Sequence, residues 1–430
     1  MITAATPELT KTVQDMIDRR LVHEVHTSER RSYRGCRRRW QWVFQDFYYP
    51  QVTAKPLEFG VAFHNAMEVL YDPKTWGWDR ELVLGAAIAK FVETCEAQKK
   101  KYFQTIGQQY FTSEEVAEDY QDRIELGVGM LKYYAKEVAP QYDEHMTPRA
   151  VEVEFIVPIQ NPYTDEYIFC KCNRCWKTFA DYCVRVLNQD RAEVVELWEA
   201  STGLVVCLAG RLDLLAQDQY GLLWVVDWKT AARLSRGEVD GQDRDEYLEL
   251  DDQIGSYVMA LRRKLSLNVR GFVYVELKKA VPEPPERNKT IRLGRMYSVN
   301  KMKPVQYETY LATVMAEDKE AYEAGLYDDH LEWLKASGPR YHGRYQIMKT
   351  DEELEELEFN LFQEASEMCD PQTRMYPSAG RFSCSSCAFR QPCLEKNRKG
   401  DYQYILDTLF DKRERHYWVK ELSTDKQSGE

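Results

Sequence analysis

Two aspartates and a lysine carry the strongest chemical signal in this chain. Asp213 lies in GRLDLLAQ, and Asp227 and Lys229 follow in VVDWKT. Both segments are short and rich in Val and Leu, and DQYG between them has the composition of a hairpin turn. Paired strands lie about 5 Å apart, so this pairing predicts two carboxylates within reach of one divalent cation. Residues two apart on a strand share a face, which sets Lys229 beside Asp227. Carboxylates hold hard cations such as Mg²⁺ or Mn²⁺, which polarise a phosphate and lower the pKa of bound water. A nearby lysine orients or deprotonates that water, or stabilises the growing negative charge. These are the requirements of phosphodiester hydrolysis. An edge salt bridge on a hairpin is the alternative, since D-x-K alone is a common pattern.

Other residues point the same way. FGVAFHNAMEVL places His64 on a predicted helix beside the apolar stripe Phe63, Ala66, Met67 and Leu70, with Gly60 one turn earlier. An imidazole there is either a metal ligand or a solvated side chain. Gln253 and Tyr257 are spaced i, i+4 on the next predicted helix and reach one surface. The pair suits contacts to phosphate or an unstacked base, or the tyrosine belongs to the core.

The eleven cysteines divide into groups. Cys95, Cys207 and Cys369 are isolated and read as core residues. CSSCAFRQPC places Cys384, Cys387 and Cys393 as C-x2-C-x5-C, three soft ligands short of a fourth. Cys36, inside the cluster Arg30, Arg31, Arg34, Arg37, Arg38 and Arg39, is available to complete the set. That arginine cluster is either a basic surface beside the substrate path or a solvated charged helix. Cys170, Cys172, Cys175 and Cys183 make a small zinc site or are packing cysteines in a loop.

The ordered set G-x3-H, G-R-x-D, D-x-K-T and Q-x3-Y resembles the RecB-family branch of the PD-(D/E)XK nucleases. One early cysteine with a late C-x2-C-x5-C resembles its iron–sulfur subgroup, which includes AddB-type recombination nucleases and a CRISPR-associated exonuclease. The resemblance runs from SYRGCRRRW to QPC. It implies His64, Asp213 and Asp227 as ligands of the catalytic metal, Lys229 as the catalytic lysine, and Gln253 and Tyr257 on the substrate side. It further implies Cys36, Cys384, Cys387 and Cys393 as ligands of a [4Fe-4S] cluster that ties the two ends together, with zinc as competing occupant. The chain departs from the family where Arg37, rather than proline, follows the first cysteine, and where Asp227 replaces the more frequent glutamate. Aspartate still coordinates a hard cation.

The elements that must position these residues follow from periodicity. Helices are predicted around 60–71, 80–102 and 112–137. VEVEFIVP (151–158) alternates at period two, as a half-buried strand does, and Glu154 on it either orients water or faces solvent. Strands follow at 204–217, 222–228 and 271–276, with a helix carrying Ile254, Tyr257, Val258, Leu261 and Leu265 between the last two. Residues 279–303 read as loop with a short strand, and helices dominate 304–368 apart from a break near 338–343. The expected fold is α/β, a restriction-endonuclease-like three-layer core whose mixed sheet is flanked by helices. A large helical insertion and a helical C-terminal cover complete it. The segments are 1–50 with the first cluster cysteine, 51–150 helical, 151–280 nuclease core, and 281–430 helical and closing the cluster.

Length and charge set the bounds. The chain has 430 residues, 44% hydrophobic and 30% charged, with a formal net charge of −12. That composition belongs to a folded protein and excludes both a disordered chain and a general nucleic-acid coat. No apolar run is long enough to span a bilayer, and the N-terminus lacks a secretory pattern, so a cytoplasmic location without membrane contact is expected. G-x4-G-K-[ST] is absent, which excludes an ATPase motor of that kind. The expected activity is metal-dependent cleavage of DNA, exonucleolytic on single strands or ends, in recombination, repair, phage DNA processing or CRISPR adaptation. Helicase, recombination or CRISPR proteins are the expected partners. The competing expectations are a catalytically silent DNA-binding adaptor that keeps the fold and cluster, and a zinc-stapled protein without nuclease activity.

Overall fold

The Val/Leu-rich stretch beginning at Leu204 forms the axis of the central sheet. The computed structural model describes residues 2–51, 55–106, 113–234, 238–239, 242–243, 246–302 and 305–413. The C-terminal polar tail STDKQSGE lies outside them. Eight strands make this sheet: β1 (Ile2–Thr3), β2 (Val22–Val25), β3 (Met146–Pro158), β4 (Tyr167–Cys170), β5 (Leu204–Asp218), β6 (Leu223–Ala231), β7 (Val269–Lys278) and β8 (His342–Ile347). Their order is β1-β4-β5-β6-β7-β8, and β2 and β3 also pair with β5. The β5–β6 pair is antiparallel, as the turn DQYG predicts. The β6–β7 pair is parallel, so the chain must cross over between them. Helix Asp252–Met259, continued by the π-helical turn Ala260–Lys264, makes that crossing. Asp251 caps it by accepting from Gln253 N at 2.8 Å, which fixes where Gln253 enters the helix.

Two apolar clusters cover the two sheet faces. Helices Lys55–Leu70, Arg80–Ile106 and Ser113–Tyr133 bury Phe63, Met67, Phe91 and Leu131 against Leu214, Val226, Trp228 and Val275. On the other face the crossover helix and helix Asp351–Cys369 bury Val258, Leu261, Leu361 and Phe362 against Val206, Leu208, Leu212 and Val225. The result is the three-layer, restriction-endonuclease-like α/β core with a helical insertion before β3 and helical cover at the C-terminal side. Among the described residues no helix is long and apolar enough to cross a membrane.

Two local expectations change. The break near 338–343 in the helical region leads into β8, which pairs with β7 and buries Tyr345 and Ile347. A strand of six residues preceded by Gly and Pro reads as an interruption when its partner is unknown. The alternation of VEVEFIVP does not keep one face inward. Val151 packs in the cluster under the helical insertion, whereas Val153, Phe155 and Val157 pack in the opposite one. Its partner strand does the same, Leu212 lying in one cluster and Leu214 in the other. The switch falls at Glu152, whose φ of 51° is left-handed, and at Asp213. Such irregularities bend a strand pair and re-aim a side chain. Here both strands cross between layers where Asp213 must face the site.

Candidate active site

The β5–β6 register runs Leu215↔Val225 and Leu214↔Val226. Continued by one step, that register sets Asp213 opposite Asp227. Trp228 N donates to Asp213 Oδ2 at 3.2 Å, which holds that carboxylate against the end of the hairpin. The indole of Trp228 points the other way, is 1% exposed and donates to Tyr134 Oη at 3.1 Å. Anchoring the middle residue of D-W-K in the helical layer presents Asp227 and Lys229 together on the opposite face. Lys229 Nζ lies 2.8 Å from both oxygens of Asp227. From the helical insertion, His64 Nδ1 reaches Asp213 Oδ2 at 2.9 Å. From the crossover helix, Gln253 Nε2 lies 3.4 Å from Asp227 Oδ1. The helical insertion, the β5–β6 hairpin and the crossover helix, three separate stretches of the chain, thus converge on two carboxylates.

The electrostatics separate the two acids. Burial pushes the Asp213 carboxyl up, but the His64 imidazole and Lys229 outweigh it and hold it below the usual range. Burial dominates at Asp227 and, with Asp213 alongside, pushes it up to about 6 despite Lys229. Burial would discharge Lys229, yet Asp227 and Asp213 keep its ammonium above the ordinary value. The Lys229 ammonium is aligned to donate to Oδ1 of Asp227, and the buried Oδ2 receives no aligned hydrogen bond among the described residues. A buried acceptor in that state is costly, and a cation satisfies it. Asp213 and the His64 nitrogen supply further lone pairs, so hard-cation donors are present where they are needed.

The ring of Tyr257 is 7% exposed and stacks edge-on against Phe155 at 5.3 Å between centroids. It is a packed residue whose neighbours include Asp227, Lys229 and Asp213, rather than an open platform for a base. The glycine of G-R-x-D has its reason here. A Cβ at Gly210 would lie 2.5 Å from the Phe155 ring and 3.0 Å from the Tyr257 ring. Gly210→Ala should therefore cost about 1–3 kcal/mol by overpacking and lower cleavage by shifting Tyr257. A thermal melt alongside a cleavage assay checks this, and unchanged values for both would refute it.

A sequence model of the PD-(D/E)XK nuclease superfamily matches residues 27–394. The chain belongs to the PD-(D/E)XK nuclease superfamily. No curated relative matches it at a significant level. Members of this superfamily are nucleases that use divalent metals, and this chain is a metal-dependent nuclease in that general sense, with DNA as the substrate of the class.

Sequence reasoning missed several residues around this PD-(D/E)XK site. Glu152 sits across β3–β5 from Asp213, ion-paired to Arg211 at 2.8 Å. Burial pushes its carboxyl up to about 7, against Arg211 and helped by Asp213 and Glu68. Glu154, the residue weighed from alternation, instead meets Arg20 at 3.2 Å. On β7, Tyr274 is in register with Asp227 and Glu276 with Lys229. Only the parallel pairing reveals them, and no local pattern encodes it.

The two ends of the chain meet away from this centre. Strand Tyr48–Pro50 pairs with Phe410–Lys412, and Trp42 packs on Phe389 with centroids 5.6 Å apart. Burial pushes the Cys387 thiol up, opposed by Phe389 N–H and Arg39, with Cys36 and Cys384 near enough to add to the rise. Arg38 Nη1 lies 3.4 Å from Cys393 Sγ. Cys36, Cys384 and Cys387 thus lie within electrostatic reach of one another, and Cys393 packs with Cys387 in the same apolar cluster. Four of the other arginines are ties within the chain, Arg31 to Asp251 at 3.1 Å among them. Arg30 is 2% exposed and holds Glu364 at 2.6 Å, Arg34 pairs with Glu364 and Asp252, and Arg37 holds Glu367 at 2.7 Å. The earlier cysteine group is rearranged. Cys170, Cys172 and Cys175 meet His23, whereas Cys183 packs with Tyr182 and Val194. Cys369 is not isolated, since it approaches Cys170 from the end of its helix.

Proposed function

We propose that this nuclease is an exonuclease acting on single-stranded DNA or frayed DNA ends. The convergence of Asp213, Asp227 and Lys229 on two neighbouring central strands carries the reading of catalysis; a binding module has no physical need for all three. The exonucleolytic assignment rests on the RecB-like order of G-x3-H, G-R-x-D, D-x-K-T and Q-x3-Y. His64, Asp213 and Asp227 would hold Mg²⁺ or Mn²⁺, which polarises a scissile phosphate and acidifies water. Lys229 sets a positive charge on the face where negative charge grows during phosphoryl attack. Gln253 steadies the Asp227 carboxylate through its amide. Tyr257, packed on Phe155, fixes the crossover helix against the sheet.

Cys36, Cys384, Cys387 and Cys393 would hold a [4Fe-4S] cluster that staples the ends together, with zinc as the competing occupant. DNA in recombination, repair, phage DNA processing or CRISPR adaptation is the proposed setting, with helicase or recombination proteins as partners. The test is digestion of end-labelled single strands and duplexes in Mg²⁺, Mn²⁺ or EDTA, with a circular single strand as control. Release of short labelled products from linear DNA, in metal only, is expected. Inertness in both metals would overturn catalysis, and equal attack on the circle would overturn exonucleolytic action.

A further inference from the structure

We infer that His23, Cys170, Cys172 and Cys175 form a structural zinc site, separate from both the carboxylate centre and the late-cysteine junction. The four ligand atoms lie within 4.8 Å of one another. His23 Nδ1 is 3.0 Å from Cys175 Sγ and 3.7 Å from Cys172 Sγ, and those two sulfurs are 3.5 Å apart. Tetrahedral zinc with Zn–S of about 2.3 Å and Zn–N of about 2.0 Å spaces its ligands about 3.5–3.8 Å apart. The 3.5 and 3.7 Å contacts fall in that range, and the 3.0 Å His23–Cys175 contact has only to open by about half an ångström around an ion. The thiolates of a cubane bind separate irons and stand further apart, so the compact set selects a mononuclear occupant.

The surroundings support a site rather than incidental packing. His23 is 5% exposed and turns its Nδ1 toward the sulfurs of Cys175 and Cys172. Cys170 and Cys175 are each 1% exposed. An imidazole and three thiols crowded together in the interior satisfy each other poorly, whereas one cation engages all four at once. Three thiolates around a divalent ion leave one negative charge. Arg174, held by an ion pair to Glu29 at 3.0 Å, adds positive charge beside Cys172 and Cys175.

The placement explains what the site does. His23 lies on β2, in register with Val206, and Cys170 ends β4, in register with Leu204. Cys172 is the N-cap of helix Asn173–Arg185 and Cys175 lies in its first turn. Zinc would therefore clamp the short strand β2 to the segment between β3 and β5, which is longer than the nuclease core demands. Short strands of four residues gain most from such a fastening.

The test is metal analysis of the purified full chain, with zinc and iron counted separately. One zinc per chain is expected, lost in His23→Ala and Cys175→Ser but kept in Cys183→Ser and in Cys384→Ser. If the first two variants fold poorly, the wild type serves instead. Thiol modification by a mercurial should release that zinc and lower the melting temperature, and Co²⁺ replacing it should give the visible bands of tetrahedral thiolate ligation. Zinc content in His23→Ala and Cys175→Ser equal to that of the wild type would overturn the inference. So would a chain without zinc that takes up no Co²⁺, or iron in place of zinc that survives Cys384→Ser.

Discussion

Lys229→Ala is expected to reduce DNA cleavage by about 10²–10³-fold while the protein stays folded. The magnitude is that of removing one preorganised positive or hydrogen-bonding group from the place where transition-state charge grows. Folding should survive because the partner left behind can neutralise itself. Burial already pushes Asp227 up to about 6 with the ammonium present, so without it the carboxyl takes up a proton instead of remaining an unpaired buried charge. Asp213→Asn should abolish activity by a different route. It removes a proposed metal donor and the charged acceptor for His64 and Trp228 N. Initial rates in Mg²⁺ and Mn²⁺, with circular dichroism melts of each variant, separate these effects from unfolding. Wild-type rates from either variant in both metals would remove the proposed centre.

Cys36→Ser or Cys384→Ser should bleach the brown colour of the proposed cluster and cost roughly 3–5 kcal/mol of stability. Both effects follow from breaking a cross-link that closes nearly the whole chain. The loss should be local at first. Trp42, Tyr48, Phe389, Leu406 and Phe410 form an apolar cluster of their own at the junction, and the pairing of Tyr48–Pro50 with Phe410–Lys412 adds backbone hydrogen bonds. The terminal segments should therefore gain hydrogen-exchange rate while the β5–β7 core stays protected. Iron analysis, visible absorbance and exchange mapping check this together. A colourless wild type with zinc at these cysteines would replace the cluster by the competing metal, and unchanged stability would remove the staple.

The residues of the carboxylate centre were legible because each obeys a short-range rule. Asp227 and Lys229 share a face through the period of a strand, Gln253 and Tyr257 share one through the period of a helix, and DQYG announces the hairpin that sets Asp213 opposite Asp227. The long helices at 80–102 and 112–137 were legible for the same reason, since a repeated apolar stripe survives any uncertainty about partners. What Tyr257 does was less legible. Its spacing allows a substrate contact, but the space above the strand is filled by Phe155, and Gly210 is small so that both rings fit.

Residue types and their spacing determined the chemistry on offer: hard-cation donors with a lysine, a hairpin to pair them, and soft thiols in two groups. Tertiary structure alone decided that β3 and β5 change faces together at Glu152 and Asp213, that Tyr274 and Glu276 stand in register with Asp227 and Lys229, and that His23 rather than Cys183 joins the earlier cysteines. The physical reason is common to all three. Parallel pairing, layer crossing and a contact between β2 and the end of β4 depend on partners far apart in the chain, and periodicity within one segment carries no information about which distant segment will lie beside it.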